Sequence, residues 1–569
     1  MKSSFVFRVR IISGVVLLVA AVLIVRLYTL QIVHGEELSA KAERQYVRPD
    51  QNQYDRGSIF FKDKDGRLVS AATLKSGFTV ALAPRSIEDI EATYVGISGI
   101  LPVDRDTFFL RAGKRDDPYE EIAKRAEPEA AKAIDAMKLP GVNIYRERWR
   151  YYPGNSLAAH AIGFVGYDGD GYSGRYGLER FYEDTLARKN SGAYVNFFAE
   201  IFSNIKGSIA DGGSREGDLV TSIEPSVQLY LDGAVAEANR TWNSNLTGAV
   251  IMNPKTGEIY AMSLYPTFDL NNFKDAGSAS VYANPLVEGV YELGSIMKPI
   301  TMAVGLDTGA VKPETTYHDA GYIVLDKAKI SNFDGKGRGT VPMQEILNQS
   351  LNTGATFVEQ RVGNKRFADY LFRLGFDKET GIDLPHEGEN LTENLGSPRD
   401  VEYATASFGQ GIAITPMTIV RALAALGNGG LLVTPHVVTE VRYQSGFSRK
   451  VGQEAPVRVF KPETSEEISR MLVTVVDTAL RGGTGKFVHH SVAAKTGTAQ
   501  IAKEGERGYY DDRFLHSFFG YFPAFDPQFL IFLFTIEPKG VRYASETLTQ
   551  PFLDTVKFLV NYYEVPPDR

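Results

Sequence analysis

The sequence predicts a multidomain α+β or α/β protein: an N-terminal transmembrane helix, a mostly-β domain, and a C-terminal domain in which an antiparallel sheet is flanked by helices. Three observations carry this reading. The chain has 569 residues, several times what a single hydrophobic core usually serves. One uncharged apolar run, Ile11 to Val25, lies near the N-terminus. From Gly217 onward, strand-like runs bounded by turns alternate with helical patterns, as in a sheet backed by helices.

Composition narrows the function classes. Hydrophobic residues at 43% and charged residues at 23% exclude a disordered or collagen-like chain. Lys+Arg 62 against Asp+Glu 69 leave a formal charge of -7, with no basic footprint to neutralise a phosphate backbone, so nucleic acid is not an expected partner. The absence of cysteine removes disulfides, thiol catalysis and cysteine metal sites together.

Taken in order, Lys2, Arg8 and Arg10 precede the apolar run, and apolar character resumes after Arg26 as far as Val33. The stretch between Arg10 and Arg26 is shorter than the about 20 residues that span a bilayer, but Arg26 can snorkel and Leu27 to Val33 can extend the helix. No small-x-small cleavage site follows, so residues 11–33 read as an anchor rather than a cleaved signal. The positive-inside rule then places residues 1–10 in the cytoplasm and the rest outside, a single-pass protein of the cytoplasmic (inner) membrane.

The domain over 34–215 is polar and mixed. Arg56 to Phe61 and Leu68 to Ala71 flank Asp65-Gly66 as a hairpin, Glu127 to Met137 reads as a helix, and the glycine-dense Gly163 to Gly177 reads as a linking or corner segment. The domain over 216–569 opens with a strand at Leu219 to Ile223 and a helix from Pro225 to about Asn239. A hairpin follows at Gly248 to Met252 and Glu258 to Met262. Further strands fall at Ser491 to Ile501, Ser517 to Phe522 and Gln528 to Glu537, and a helix at Pro551 to Tyr562. Ile531 to Ile536 is too short to span a membrane and reads as a core strand.

Chemistry concentrates in three short motifs. Ser295-Ile296-Met297-Lys298 places a hydroxyl and an ammonium at helical spacing, and Pro299 fits only near a first helical turn, with Gly309 as a stop. Ser295 therefore sits at a helix mouth, where free backbone N–H groups meet a developing oxyanion, and Lys298 with a lowered pKa can take its proton. Ser350-Leu351-Asn352 sets a hydroxyl and an amide in a turn after a helix-like stretch. Lys495-Thr496-Gly497-Thr498 lies on a strand, where Gly497 lets a substrate backbone approach and the lysine and threonines offer a cation and hydroxyls. Singly each motif is weak; S-x-x-K, S-D-N and K-T-G in this order are the signature of penicillin-binding proteins and class A β-lactamases.

On these motifs the chain resembles the penicillin-recognising serine transferases and, in detail, a class B penicillin-binding protein. Further carriers are Arg56-Gly57-Ser58-Ile59, Tyr152-Pro153-Gly154, Ala159 to Gly166, Gly177-Leu178-Glu179, Phe408-Gly409-Gln410-Gly411 and Thr415-Pro416. Leu293, Leu351 and Thr221 to Glu224 depart from common family residues without touching a reacting group. The resemblance implies an elongated, dimerisation-type pedestal over 34–215 and a transpeptidase domain over 216–569. It implies D,D-transpeptidation of peptidoglycan stem peptides outside the membrane, in the division and sporulation subgroup rather than the elongation one. Ser295 would attack the penultimate D-Ala carbonyl of a pentapeptide donor with Lys298 as base, and an acceptor amine would resolve the acyl-enzyme. Ser350 would relay a proton, Asn352 would bond the donor backbone, Lys495 would supply positive potential, and Thr496 and Thr498 would bind the terminal carboxylate. β-Lactams would acylate the same serine. A SEDS-family glycan polymerase and other divisome membrane proteins are the implied partners, and no cofactor or metal is implied.

Other matches are set aside. Ser203-Asn204-Ile205-Lys206 runs straight into Gly207 and reads as surface loop. Asp168, Asp170 and Glu179 match three calcium-loop positions, but Ser173 stands where the turn needs glycine. Gly482 to Lys486 lacks the first glycine of a P-loop, and adjacent His489 and His490 on a strand would face opposite ways. The competing functions are a D,D-carboxypeptidase or β-lactamase-like hydrolase and a non-catalytic penicillin-binding scaffold or sensor.

Overall fold

The computed structural model describes residues 54–168, 171–188, 216–275, 277–452 and 454–569. The expected tail 1–10, the anchor 11–33 and the loop at Ser203 lie outside them. Among the described residues no helix is long and apolar enough to cross a membrane. The chain clusters into two compact units, one holding Lys75–Trp149 and the other Arg56–Leu74, Arg150–Arg188 and 216–569.

The first described elements are a hairpin, β1 (Ile59–Lys62) and β2 (Leu68–Leu82), closed by a turn at Gly66 whose φ of +82° suits glycine. In the smaller unit the second half of β2 pairs antiparallel with β3 (Glu120–Ala126), and β4 (Val142–Tyr151) also pairs with β2. Three helices join them: α1 (Ile90–Ser98), α2 (Arg105–Ala112) and α3 (Pro128–Ala136). Asp89 and Asp104 cap the first two, accepting from the N–H groups of Ala92 and Thr107. Val80, Leu82, Ile97, Phe108 and Ile134 form the core between them. This unit is thus mixed, not mostly β. A cluster of half-buried apolar side chains on α1 and α2 needs a sheet face to cover it, which β2 and β3 supply.

In the larger unit the glycine-dense stretch expected to be a corner is a hairpin, β5 (Val165–Asp168) and β6 (Gly171–Gly174). It leads to Glu179, which is fully buried between two arginines. Its Oε2 accepts from Arg56 Nε at 2.6 Å and its Oε1 from Arg150 Nε at 2.6 Å. Burial alone would raise the Glu179 pKa, but Arg150 and Arg56 reverse this and hold it below the ordinary value. Glu179 is therefore a structural counter-ion. Strand β7 (Gly217–Thr221) lies parallel to β1 and antiparallel to Val438–Tyr443.

The main sheet of this unit has five antiparallel strands: β8 (Leu246–Met252), β9 (Ile259–Tyr265), β10 (Ala493–Ala502), β11 (Tyr509–Phe522) and β12 (Phe529–Ile536), in spatial order β10-β11-β12-β8-β9. Both faces are covered, which is why β12 reads as an unbroken apolar run. Ile531 and Leu533 pack with Val227, Leu231 and Val235 of α4 (Pro225–Trp242) and with Phe552 and Val556 of the last helix, Thr549–Tyr562. Their neighbours Phe532 and Phe534 point into the opposite core with Ile300 and Met417. Among the described residues the sheet ends at β10, so one edge of the strand that carries Lys495 has no partner strand among them.

Candidate active site

Ser295 stands on a 3-10 turn, Gly294–Met297, that runs directly into α5 (Lys298–Asp307) with Pro299 in its first turn. Ser295 is thus ahead of the α-helix instead of inside it. In a 3-10 turn residues three apart eclipse, so Lys298 Nζ reaches Ser295 Oγ at 2.9 Å. Gly294 has φ of +67°, and a Cβ there would lie 2.7 Å from the Thr498 carbonyl oxygen, which is why glycine precedes the serine.

The second motif closes on the first. Ser350 holds a left-handed φ of +54° between the helix Met343–Asn348 and α6 (Asn352–Val362). That bend turns its side chain toward both lysines: Lys298 Nζ is 3.1 Å and Lys495 Nζ 3.2 Å from Ser350 Oγ. Lys298 also donates to the Ser350 carbonyl at 2.6 Å. Asn352 donates its Nδ2 to the Ser331 carbonyl at 2.9 Å, which leaves its amide oxygen for another donor. On β10, Lys495 donates to its neighbour's carbonyl, Thr496 O, at 3.0 Å, and Thr498 Oγ1 accepts from Ala544 N–H at 3.0 Å. A Cβ on Gly497 would lie 2.3 Å from Ser517 Oγ and 2.8 Å from the Leu293 carbonyl oxygen. The strand can lie this close to the serine turn because position 497 has no side chain.

Both lysines are almost fully buried. Burial, then the positive charge of Lys495, pushes the Lys298 pKa well below the ordinary lysine value, and burial brings Lys495 down to about 7. The sequence motifs therefore meet: Ser295, Ser350, Asn352, Lys495, Thr496 and Thr498 line one cleft of about 1080 Å³. Lys298 lies beneath it, and Gly497 sits in the strand wall.

Several supporting residues had no role assigned from the sequence. Asp319 accepts from Thr353 Oγ1 at 2.8 Å and from Asn332 Nδ2, tying the start of α6 to a loop that lines the cleft. Ser517 donates to the Leu293 carbonyl at 2.8 Å, and Gly409 accepts from Gly294 N–H at 3.0 Å, bracing the serine turn from two sides. Three such sites share no sequence neighbourhood, so only the fold makes them one. Among the described residues no group of His, Asp and Glu could hold a metal ion. His489 and His490 lie in a bend rather than on a strand, and the His490 ring is bonded to the Val565 carbonyl.

Comparison with known proteins agrees with this geometry. The profile of the penicillin binding protein transpeptidase domain matches residues 247–556, and that of the penicillin-binding protein dimerisation domain matches 52–218. Stage V sporulation protein D of Bacillus subtilis is 31% identical over 93% of this chain and 82% of its own length. Peptidoglycan D,D-transpeptidase FtsI of Escherichia coli is 25% identical over 97% of this chain and 90% of its own length. Among solved structures, penicillin-binding protein 2X of Streptococcus thermophilus superposes with a TM-score of 0.73 at 19% identity, over 90% of this chain and 79% of that one. Penicillin-binding protein 3 of Mycobacterium tuberculosis, complexed with aztreonam, gives 0.69 at 22% identity, over 91% and 98%. With both domains matched and the serine–lysine cleft in place, the chain belongs to the penicillin-binding proteins, as a class B member with a dimerisation domain ahead of its transpeptidase domain.

Proposed function

We propose that this protein is a peptidoglycan D,D-transpeptidase that works through a Ser295 acyl-enzyme in cell-wall synthesis at the division septum. One observation carries the chemistry: Lys298 Nζ lies within 2.9 Å of Ser295 Oγ, in a buried setting that lowers its pKa. A neutral amine has two hydrogens and one lone pair. The Ser350 carbonyl can only accept, so it takes one hydrogen, and the lone pair is free to receive the Ser295 proton as the hydroxyl attacks the penultimate D-Ala carbonyl. Lys298 then passes the proton by way of Ser350 to the departing D-Ala amine. The Ser295 and Thr498 backbone N–H groups form the oxyanion hole in this scheme, worth about 3 kcal/mol per donor. Asn352 takes the donor's backbone amide, Thr496 and Thr498 bind its terminal carboxylate, and Lys495 carries the potential that draws it in. An amine from a neighbouring stem releases the product.

The same reading makes residues 11–33 a membrane anchor, 34–215 a dimerisation-type pedestal and 216–569 the transpeptidase domain, in a single-pass protein facing outward from the cytoplasmic membrane. A SEDS-family glycan polymerase and other division membrane proteins are its proposed partners. Support for the division role is the similarity to Stage V sporulation protein D and to FtsI. The test is cross-link formation from pentapeptide-bearing glycan strands by the purified protein. Dimeric stems that vanish in Ser295→Ala support the proposal, while D-Ala release without dimers favours the hydrolase.

A further inference from the structure

The charge lining the cleft is lopsided. Lys329, Arg338, Arg481, Lys495 and Arg542 line it against one acid, Glu546, in a chain whose net charge is -7. Arg338 is neutralised by Asp334 at 2.8 Å, and Lys495 belongs to the serine–lysine network. Glu546 accepts from the Tyr543 backbone N–H. Among the described residues, no carboxylate pairs with Arg542. Its guanidinium is held instead by two rings, 5.9 Å from the Phe514 centroid and 5.7 Å from that of Tyr543.

The location of this cation is defined by the strand register. Thr498 pairs with His516 and Gln500 with Phe514 across β10 and β11. The His516 ring bonds the Arg542 carbonyl at 3.0 Å, and Ala544 N–H donates to Thr498 Oγ1. Arg542 therefore stands over the β11 side of the sheet face, level with the Thr498–Gln500 end of β10, and lines the same cleft. An extended peptide that adds antiparallel to the edge of β10, with its terminal carboxylate at Thr496 and Thr498, sends its preceding residues toward Gln500 and Arg542.

We infer that Arg542 is a specificity residue that reads a carboxylate on the side chain of the residue preceding D-Ala-D-Ala in the donor. This rests on the transpeptidase reading of the cleft. Two aromatic rings restrict the guanidinium, so less rotamer entropy is lost on pairing, and Lys329 and Arg481, which line the same cleft with no carboxylate partner among the described residues, add to the local positive potential.

The experiment compares acylation rate constants for carbenicillin and benzylpenicillin, which differ by one side-chain carboxylate. In the parent protein the carbenicillin-to-benzylpenicillin ratio should fall as salt rises, and Arg542→Gln should lower it by about threefold at low salt, the scale of a partly exposed ion pair. Arg542→Lys should keep most of it. Pentapeptides ending in D-Ala-D-Ala, with the third residue's side-chain carboxylate free or amidated, should release D-Ala faster from the free form. A ratio that is independent of salt, or equal in parent and Arg542→Gln, overturns the inference, as do equal rates for the two peptides. Failure of benzylpenicillin to acylate the parent would instead bring down the transpeptidase reading itself.

Discussion

Lys298 Nζ lies 2.9 Å from Ser295 Oγ and 3.1 Å from Ser350 Oγ, so one buried amine joins the two serines of separate motifs. Burial and the charge of Lys495 both disfavour its protonated form. In the proposed mechanism the neutral amine is the active form, so acylation by benzylpenicillin should be fastest at neutral to alkaline pH and fall on the acid side as Lys298 takes up a proton. Removing the neighbouring charge in Lys495→Met makes protonation of Lys298 easier, which raises its pKa and moves the acid limb to higher pH. Stopped-flow acylation over about pH 5 to 9 checks both, and a flat profile contradicts Lys298 as base.

Gly409 has φ of +82°, and a Cβ there would lie 2.2 Å from the Gly294 carbonyl oxygen. Gly409→Ala must push the serine turn out of place. Acylation should slow by about 10- to 100-fold, the cost of an ångström-scale misplacement, and an unchanged rate constant would contradict this bracing role.

Glu179 is the shared counter-ion of buried Arg56 and Arg150, far in sequence from every motif that carries the chemistry. Glu179→Ala leaves the buried Arg150 without its carboxylate partner and Arg56 leaning on Glu183 at 2.7 Å, and should destabilise the larger unit by about 3–5 kcal/mol, seen as a marked drop in its thermal midpoint. A midpoint within a degree or two of the parent would argue against it.

Glu359 on α6 is 1% exposed, its Oε1 has no hydrogen-bond partner among the described residues, and burial followed by the Asp400 charge pushes its pKa up to about 8 from 4.5. Between these values the folded state holds a proton that the unfolded state has lost. Its contribution is therefore fully present below about pH 4.5 and is lost as pH rises through about 8. Glu359→Gln removes this loss and should stabilise the protein at pH 8 by on the order of 1–3 kcal/mol, with little effect at pH 4.5. Thermal melts of parent and variant at the two pH values measure it; an equal difference at both would refute the assignment.

Local chemistry made much of this protein legible in its sequence. The three motifs, the hairpin flanking Asn253 to Gly257 and the helix after Pro225 all depend on nearest neighbours, and the structure has them at nearly the expected bounds. Helices α1 and α2 went unread in the sequence: their local signal is confined to the caps Asp89 and Asp104, because their own residues are a weak mixture of glycine and β-branched types in one and charges in the other. The glycines of Gly163 to Gly174 masked a hairpin, since glycine signals turn and close packing alike. A Cβ on Gly174 would lie 2.0 Å from the Glu179 carbonyl oxygen. What the sequence could not show is what distance in the chain hides: the Asp319–Asn332–Thr353 network, the burial that tunes both lysines, and the arginine pair around Glu179.

The most direct test of the central claim, that Ser295 is the acylated nucleophile, is the intact mass of the purified protein after incubation with benzylpenicillin, beside the Ser295→Ala variant. A stable, stoichiometric adduct on the parent alone is the predicted result. No adduct on the parent, or an equal adduct on the variant, would contradict it.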